Sequence, residues 1–149
     1  MAMTLVEQLT RDEGLRRLPY QDTLGVWTWG VGHNLDNPLS HLVVALLAQG
    51  DVPGAIAECL GEDVATVRGG LTTAIPWYTG LSDARRGVFE NMAFALGVEG
   101  FLRFRHLLAA CQAGQWTKAG EELLDSTWAR QVGDRAQRLA QQLVTDGWT

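Results

Sequence analysis

Residues 19–35 constrain the fold most, because their composition differs from that of the rest of the chain. Aromatic and β-branched side chains are broken there by Gly25, Gly30 and Gly32, which is typical of strands and tight turns. After Asn37-Pro38 the apolar residues instead recur at helical spacing. The sequence therefore predicts an α+β fold that is mainly helical and has one small antiparallel sheet near its start.

Caps and breakers predict where the helices lie. Thr4 followed by Glu7 is typical of a capping box, and it predicts a first helix that ends at Gly14. Further helices are predicted over residues 40–49, 53–68, 82–97, 100–114, 116–126 and 134–144. Residues 69–80 either break the chain after the second of these helices or continue it as a connecting helix before a turn at Pro76.

The length and apolar content predict one domain. A chain of 149 residues with 46% apolar side chains can bury a sizeable core of its own. We expect two lobes within that domain. The sheet lobe should cover approximately residues 12–60, the helical lobe residues 1–11 and 75–149, and a connecting helix residues 53–74.

Charge and apolar runs exclude several classes of protein. The net charge is -5, and the first 81 residues hold four basic and nine acidic side chains, which argues against a nucleic-acid binder. The longest apolar run, residues 41–48, is too short to cross a membrane, so no stable membrane insertion is expected. No export signal is recognisable, which predicts synthesis in the cytoplasm.

The two cysteines predict neither a disulfide framework nor a metal site. Cys59 and Cys111 are few and far apart in sequence, and each lies among apolar residues of a predicted helix. We therefore expect two reduced thiols buried by packing.

Two acids near the start of the chain suit the cleavage of a glycosidic bond. That reaction needs one carboxylic acid to protonate the leaving oxygen and one carboxylate on the other side of the sugar. Glu13 ends the first predicted helix, where the helix dipole disfavours negative charge, and Asp22 follows in the sheet region. Taken alone, Asp22 could be a turn residue that bonds its own backbone, and Thr28 an ordinary strand residue.

The run RDEGLRRLPYQDTLGVWTWGVGHNL, residues 11–35, resembles the active-site signature of phage-type lysozymes, glycoside hydrolase family 24, which have the T-even phage lysozyme fold. The chain matches every fixed position of that signature: Glu13, Gly14, Tyr20, Asp22, Gly25, Thr28, Gly30, Gly32 and His33. Residues 81–97, 114–131 and 133–143 are similar to the helical half of the same family. The resemblance covers almost the whole chain.

The resemblance implies a role for each matching residue. Glu13 is the implied general acid, and Asp22 and Thr28 are implied to direct the attacking water, since a hydroxyl can both donate and accept a hydrogen bond. Arg135, Gly32 and His33 are implied to bind substrate or to organise the cleft. His33 would do so through hydrogen bonds to nearby backbone or to an acid.

Other side chains carry weaker hypotheses. Arg135 could alternatively be a solvated charge on a helix face. Trp27 and Trp29 flank Thr28 and should point to the opposite face of the strand, which weakens a sugar-stacking role for both. Trp116 and Trp128 match core positions of the family, which favours packing.

The implied activity is that of an endolysin, a muramidase that hydrolyses the β-1,4 bond between N-acetylmuramic acid and N-acetylglucosamine in bacterial peptidoglycan. Two carboxylates and a water need no metal and no organic cofactor. We expect a monomer that reaches the cell wall after release, with the help of a holin-like partner that permeabilises the membrane. Acidic net charge should weaken steering towards an anionic wall.

Two alternatives remain open on the sequence. The chain could be a lysozyme-like glycan-binding or virion structural protein without turnover, which the intact trio of Glu13, Asp22 and Thr28 argues against. It could also be a lytic transglycosylase, which uses one acid and forms an anhydro sugar. The presence of both Asp22 and Thr28 favours hydrolysis.

Overall fold

The computed structural model describes residues 3–149, which form a three-stranded antiparallel sheet and eight α-helices. The elements of the first half are α1 (Leu5–Glu13), β1 (Arg16–Gln21), β2 (Trp27–Gly30), β3 (His33–Asn34), α2 (His41–Ala48) and α3 (Val52–Ala74). A short 3-10 helix (Pro76–Gly80) precedes α4 (Asp83–Leu102), α5 (Arg105–Gln112), α6 (Trp116–Leu124), α7 (Thr127–Val132) and α8 (Asp134–Thr145). The predicted α+β fold, mainly helical, is confirmed.

The described chain divides into two compact units. The first, called the sheet unit, is Val6–Thr66, and the second, called the helical unit, is Val67–Thr149 with the described residues before Val6. The boundary falls inside α3. Within residues 3–149, no helix has the combination of length and apolar content that crossing a membrane would require.

In the sheet unit the strands follow the order β1-β2-β3. Tyr20 of β1 lies opposite Thr28 of β2, and the register is irregular between Arg16 and Tyr20. Pro19 lies in that irregular stretch and has no N–H to donate, which an edge strand tolerates. The strand region was predicted from Pro19, whereas β1 begins at Arg16. The prediction missed this earlier start because the first residues of the strand are exposed and show no apolar alternation.

Helix α3 lies against the sheet at Gly30. A Cβ atom added there would stand 3.4 Å from the side chain of Ile56, so glycine allows the close approach. Gly30 also has a φ of +65°, which other residues rarely adopt. The buried apolar residues of the sheet unit are Leu9, Trp29, Val31, Val43, Ala55, Ile56, Cys59, Leu60 and Val64.

The helical unit is built around α8, which packs against α4, α6 and α7. Aromatic rings fill part of its core. Phe89 stacks on Tyr78 with ring centroids 6.0 Å apart, and it meets Phe101 edge-on at 5.0 Å. Such offset and edge-to-face pairs add stabilisation beyond the area they bury.

Of the two possibilities left open for residues 69–80, a break or a continued helix, the structure shows the continued helix as far as Ala74. Helix α3 continues through Gly69 and Gly70 to Ala74. A glycine inside a helix costs about 1 kcal/mol relative to alanine. Burial of Leu71 offsets that cost, and a Cβ at Gly70 would lie only 2.9 Å from the side chain of Val98.

In the second half, the bounds of the helices predicted over residues 82–97 and 100–114 need correction, and one helix was not predicted. Residues 100–114 do not form one helix, because α4 extends to Leu102 and α5 begins at Arg105. The predicted break at Gly97 is present as a non-helical residue with φ +75° within α4. Helix α7 was not predicted, because six residues are too few for a periodic pattern, although Ser126 caps it by accepting from Ala129 N.

Candidate active site

Asp22 opens the turn that joins β1 to β2. Its Oδ1 atom accepts hydrogen bonds from Leu24 N at 2.8 Å and from Val26 N at 2.9 Å. Its own N–H donates to Val26 O at 2.9 Å, and Gly25, with φ +79°, donates to Asp22 O. One carboxylate oxygen is therefore fixed by the backbone, as expected of a turn aspartate.

The second oxygen of Asp22 remains for other partners. Among residues 3–149, no hydrogen bond or ion pair involves its Oδ2 atom, and Asp22 is exposed. A carboxylate has lone pairs on both oxygens, so it can hold its turn with one and accept from a water with the other. The turn role and the proposed chemical role are therefore compatible.

Thr28 lies in the middle strand, opposite Tyr20 on one side and Asn34 on the other. Its side chain is buried, and its hydroxyl donates to Val26 O at 3.0 Å. Because a hydroxyl has one hydrogen and two lone pairs, this bond leaves Thr28 able to accept from a further donor.

Glu13 is the last residue of α1. The helix stops there because Gly14 takes a φ of +75° while its N–H still bonds to Thr10 O at 3.0 Å. Only Gly14 and Leu15 separate Glu13 from β1, so its Cα lies within about 11 Å of the Cα of Arg16. The side chain is half-buried.

His33 begins β3, directly after Gly32, whose φ is +68° in the turn from β2. The imidazole is buried, and its Nδ1 atom lies 2.6 Å from Asp63 Oδ2 on α3. The partner of His33 is thus an acid, one of the two kinds of partner expected. Burial raises the pKa of the Asp63 carboxyl, while the neighbouring His33 acts in the opposite direction.

Arg135 lies in the first turn of α8, in the helical unit. It is 9% exposed, its Nε atom donates to Asn91 Oδ1 at 3.0 Å, and its guanidinium lies over the ring of Trp128. A solvated helix-face charge is therefore the wrong description of Arg135. Its predicted part in organising a glycan cleft stays a prediction.

The tryptophans divide into an exposed one and several packed ones. Trp27 is 53% exposed, whereas Trp29 is buried and donates from Nε1 to Arg17 O at 2.9 Å. Trp128 is buried in the helical core, and Trp116 packs at its edge beneath the guanidinium of Arg85. Packing roles for Trp116 and Trp128 are therefore confirmed.

A hollow of about 250 Å³ in the sheet unit is a separate feature. Its lining is mainly apolar and includes Leu15, Val31 and Ile56, but none of Glu13, Asp22 and Thr28. It therefore lies outside the candidate catalytic group.

Comparison with known proteins agrees with this organisation. The model of a family described as phage lysozyme matches residues 10–143, which include Glu13, the Asp22 turn, Thr28 and all the helices from α2 to α7. The chain belongs to the phage lysozyme family.

Relatives of this phage lysozyme family member come from a phage and from a eukaryote. It is 33% identical to the pre-baseplate central spike protein Gp5 of Enterobacteria phage T4, over 96% of the chain but only 28% of that protein. It is 26% identical to probable T4-type lysozyme 1 of Dictyostelium discoideum, over 97% of the chain and 96% of that protein. Probable T4-type lysozyme 2 of the same organism is also 26% identical.

The neighbours of His33 in this family member, Asp63 and Cys59, were not predicted from the sequence. Asp63 and Cys59 share one face of α3, and the thiol lies 4.0 Å from Asp63 Oδ2. Their spacing of four residues in a predicted helix was a signal that could have grouped them. Their proximity to His33, 30 residues earlier, depends on how α3 packs on the sheet.

Proposed function

We propose that this chain is a muramidase that hydrolyses the β-1,4 bond between N-acetylmuramic acid and N-acetylglucosamine in peptidoglycan. Membership of the phage lysozyme family supports a lysozyme-type hydrolase. The observation that carries the finer proposal is the pair of groups held on Val26. Asp22 Oδ1 accepts from Val26 N, and Thr28 Oγ1 donates to Val26 O.

This pair suits the activation of a water molecule. Asp22 retains Oδ2 as an acceptor, and Thr28 retains only lone pairs because its hydrogen is used on Val26 O. A water that donates one hydrogen to each of them has its own lone pair directed outwards, towards an anomeric carbon. As that carbon is attacked, the water loses its proton to Asp22.

Glu13 completes the proposed reaction as the general acid. In its protonated form it donates to the glycosidic oxygen as the bond to the anomeric carbon breaks. The leaving sugar then departs as a neutral alcohol. Because the acid and the water work on opposite sides of the sugar ring, the configuration at the anomeric carbon is inverted. Arg135, Gly32 and His33 are proposed to hold the surrounding structure and not to transfer protons.

Product analysis tests this proposal. Purified peptidoglycan is digested with the wild-type chain, the fragments are weighed by mass spectrometry, and the anomeric configuration of the first product is read by NMR. Hydrolysis by this route adds one water per cut and inverts the configuration. Retained configuration, or an anhydro sugar in place of the added water, would overturn it, and the anhydro sugar would indicate a lytic transglycosylase.

A second candidate function is a virion structural part without turnover. Its support is the similarity to the phage T4 spike protein Gp5. The chain is 33% identical to that protein and 26% identical to each of the two probable lysozymes. Under this alternative the wild-type chain releases no fragments from peptidoglycan. The same digestion therefore distinguishes the two functions.

A further inference from the structure

Three side chains of different chemistry meet in the sheet unit, and none of them belongs to the proposed catalytic trio. His33 comes from β3, and Cys59 and Asp63 come from consecutive turns of α3. Their nitrogen, sulfur and oxygen ligand atoms all lie within 4.8 Å of one another. None of the three transfers a proton in the proposed hydrolysis.

The burial of this cluster is unusual for polar groups. Cys59 is 2% exposed and His33 is 6% exposed, while the side chain of Asp63 is 24% exposed. Among the described residues, no group bonds to the buried Nε2 atom of His33. The polar contacts of this imidazole are therefore confined to the cluster on its Nδ1 side.

The donor set matches one metal ion in particular. Imidazole, thiolate and carboxylate are the ligands of Zn²⁺ in proteins, and a tetrahedral site places such atoms about 3.3 to 3.8 Å apart. The thiol and the carboxylate are 4.0 Å apart, close to that range. The Nδ1–Oδ2 contact of 2.6 Å is a hydrogen bond that must open to admit the ion.

We propose that His33, Cys59 and Asp63 bind one zinc ion, with water as the fourth ligand on the side where Asp63 reaches solvent. On binding, the thiol and the hydrogen bond between His33 and Asp63 each release one proton to solvent, which leaves a thiolate, a carboxylate and a neutral imidazole that carries its one hydrogen on Nε2. The ion thereby ties β3 to α3. This proposal is independent of the proposed function, because its readout is metal binding.

The local charge favours a cation at this place. Glu62 is next to Asp63 on α3, and its negative charge acts on both Asp63 and Cys59. Residues 1–81 as a whole carry nine acidic and four basic side chains. A divalent cation in the cluster is attracted by this negative field.

The test uses Co²⁺ as a spectroscopic substitute for Zn²⁺ in the full chain. The metal-free wild type should show a thiolate-to-cobalt charge-transfer band on titration, and zinc should displace the cobalt at one equivalent per chain. Thermal unfolding should shift upward with zinc by several degrees. Cys59→Val should lose the band and bind zinc at least about tenfold more weakly.

Cys111→Val is the matched control, because Cys111 is also 2% exposed but belongs to the helical unit. This variant should keep the band and the zinc-dependent shift. Absence of a charge-transfer band in the wild type overturns the proposal, and it would leave an ordinary His33–Asp63 hydrogen bond beside a packed thiol. A band that survives Cys59→Val but not Cys111→Val also overturns it. If Cys59→Val fails to fold, the wild-type band and stoichiometry decide.

Discussion

The side chains of Asp22 and Thr28 both hydrogen-bond to the backbone of Val26. The N–H of Val26 donates to Asp22 Oδ1 at 2.9 Å, and its carbonyl oxygen accepts from Thr28 Oγ1 at 3.0 Å. The backbone of Val26 therefore sets the position of both side chains. A shift of this residue would move the carboxylate and the hydroxyl together. The turn between β1 and β2 is thus part of the proposed catalytic apparatus and not only a connection.

The first prediction separates the two roles of Asp22. In Asp22→Asn the amide oxygen can still accept from Leu24 N and Val26 N, so the turn should persist while the carboxylate is lost. We expect hydrolysis of peptidoglycan to fall about 10²- to 10⁴-fold with an almost unchanged melting temperature. Asp22→Ala should lose the activity and also lower stability, by about 1 kcal/mol for each bond removed.

These Asp22 variants are compared by digestion assays and thermal unfolding on the same preparations. Near-wild-type activity in a folded Asp22→Asn protein would show that the carboxylate has only its turn role.

The second prediction concerns the hydroxyl of Thr28. Thr28→Val keeps the shape of the buried side chain but removes both the donor to Val26 O and the acceptor for water. Thr28→Ser restores the hydroxyl at the cost of one buried methyl group. We expect activity to fall at least about tenfold in the valine variant, since general base catalysis depends on the oriented water, and to remain near wild type in the serine variant. Equal activity in the two variants would contradict this role.

How far the sequence predicts this site depends on how far apart in sequence the interacting residues lie. Glu13 at a helix end and Asp22 in a turn were predictable, because Gly14 and Gly25 are neighbours in sequence that fix the local backbone. The partner of His33 was not predictable in this way, since Asp63 lies 30 residues later on α3. The fold shows the same division, because α2 and α4 follow the caps Ser40 and Ser82, where helices were predicted to start, whereas the short α7 was missed.

The third prediction concerns the buried Arg135. Arg135→Met removes the guanidinium that donates to Asn91 Oδ1 in a buried environment. The free energy of unfolding should fall by about 1–3 kcal/mol. Arg130→Met removes the same charge from an exposed position of α7, and it should change stability by less than about 0.5 kcal/mol. Urea unfolding of both variants checks this, and equal stability would mean that the buried bond contributes little.

The fourth prediction is a loss of stability in alkali. Burial raises the pKa of the Cys111 thiol to about 12, although Arg85 acts in the opposite direction. An unfolded thiol titrates near the ordinary value of 9.0, so between these values the unfolded chain has lost a proton that the folded chain keeps. Stability is therefore complete below about pH 9 and falls as the pH rises, by up to about 1.4 kcal/mol per pH unit for this group.

Urea unfolding at several pH values between about 8 and 10 measures that slope, with a chelator present to remove bound metal. Cys111→Ala should be less stable at neutral pH, because it leaves a small cavity, but its stability should decline less steeply with pH. An unchanged slope would show that the thiol does not contribute to the alkaline loss.

The most direct test of the account is the rate at which Glu13→Gln releases fragments from purified peptidoglycan. Glutamine keeps the size of the side chain but cannot donate the proton that the leaving oxygen needs. We predict a fall of about 10²- to 10⁴-fold in a protein whose circular dichroism spectrum still shows the folded state. Glu7→Gln, an exposed change on the same helix α1, should retain wild-type activity. Equal rates for Glu13→Gln and the wild type would contradict the assignment of Glu13 as the general acid.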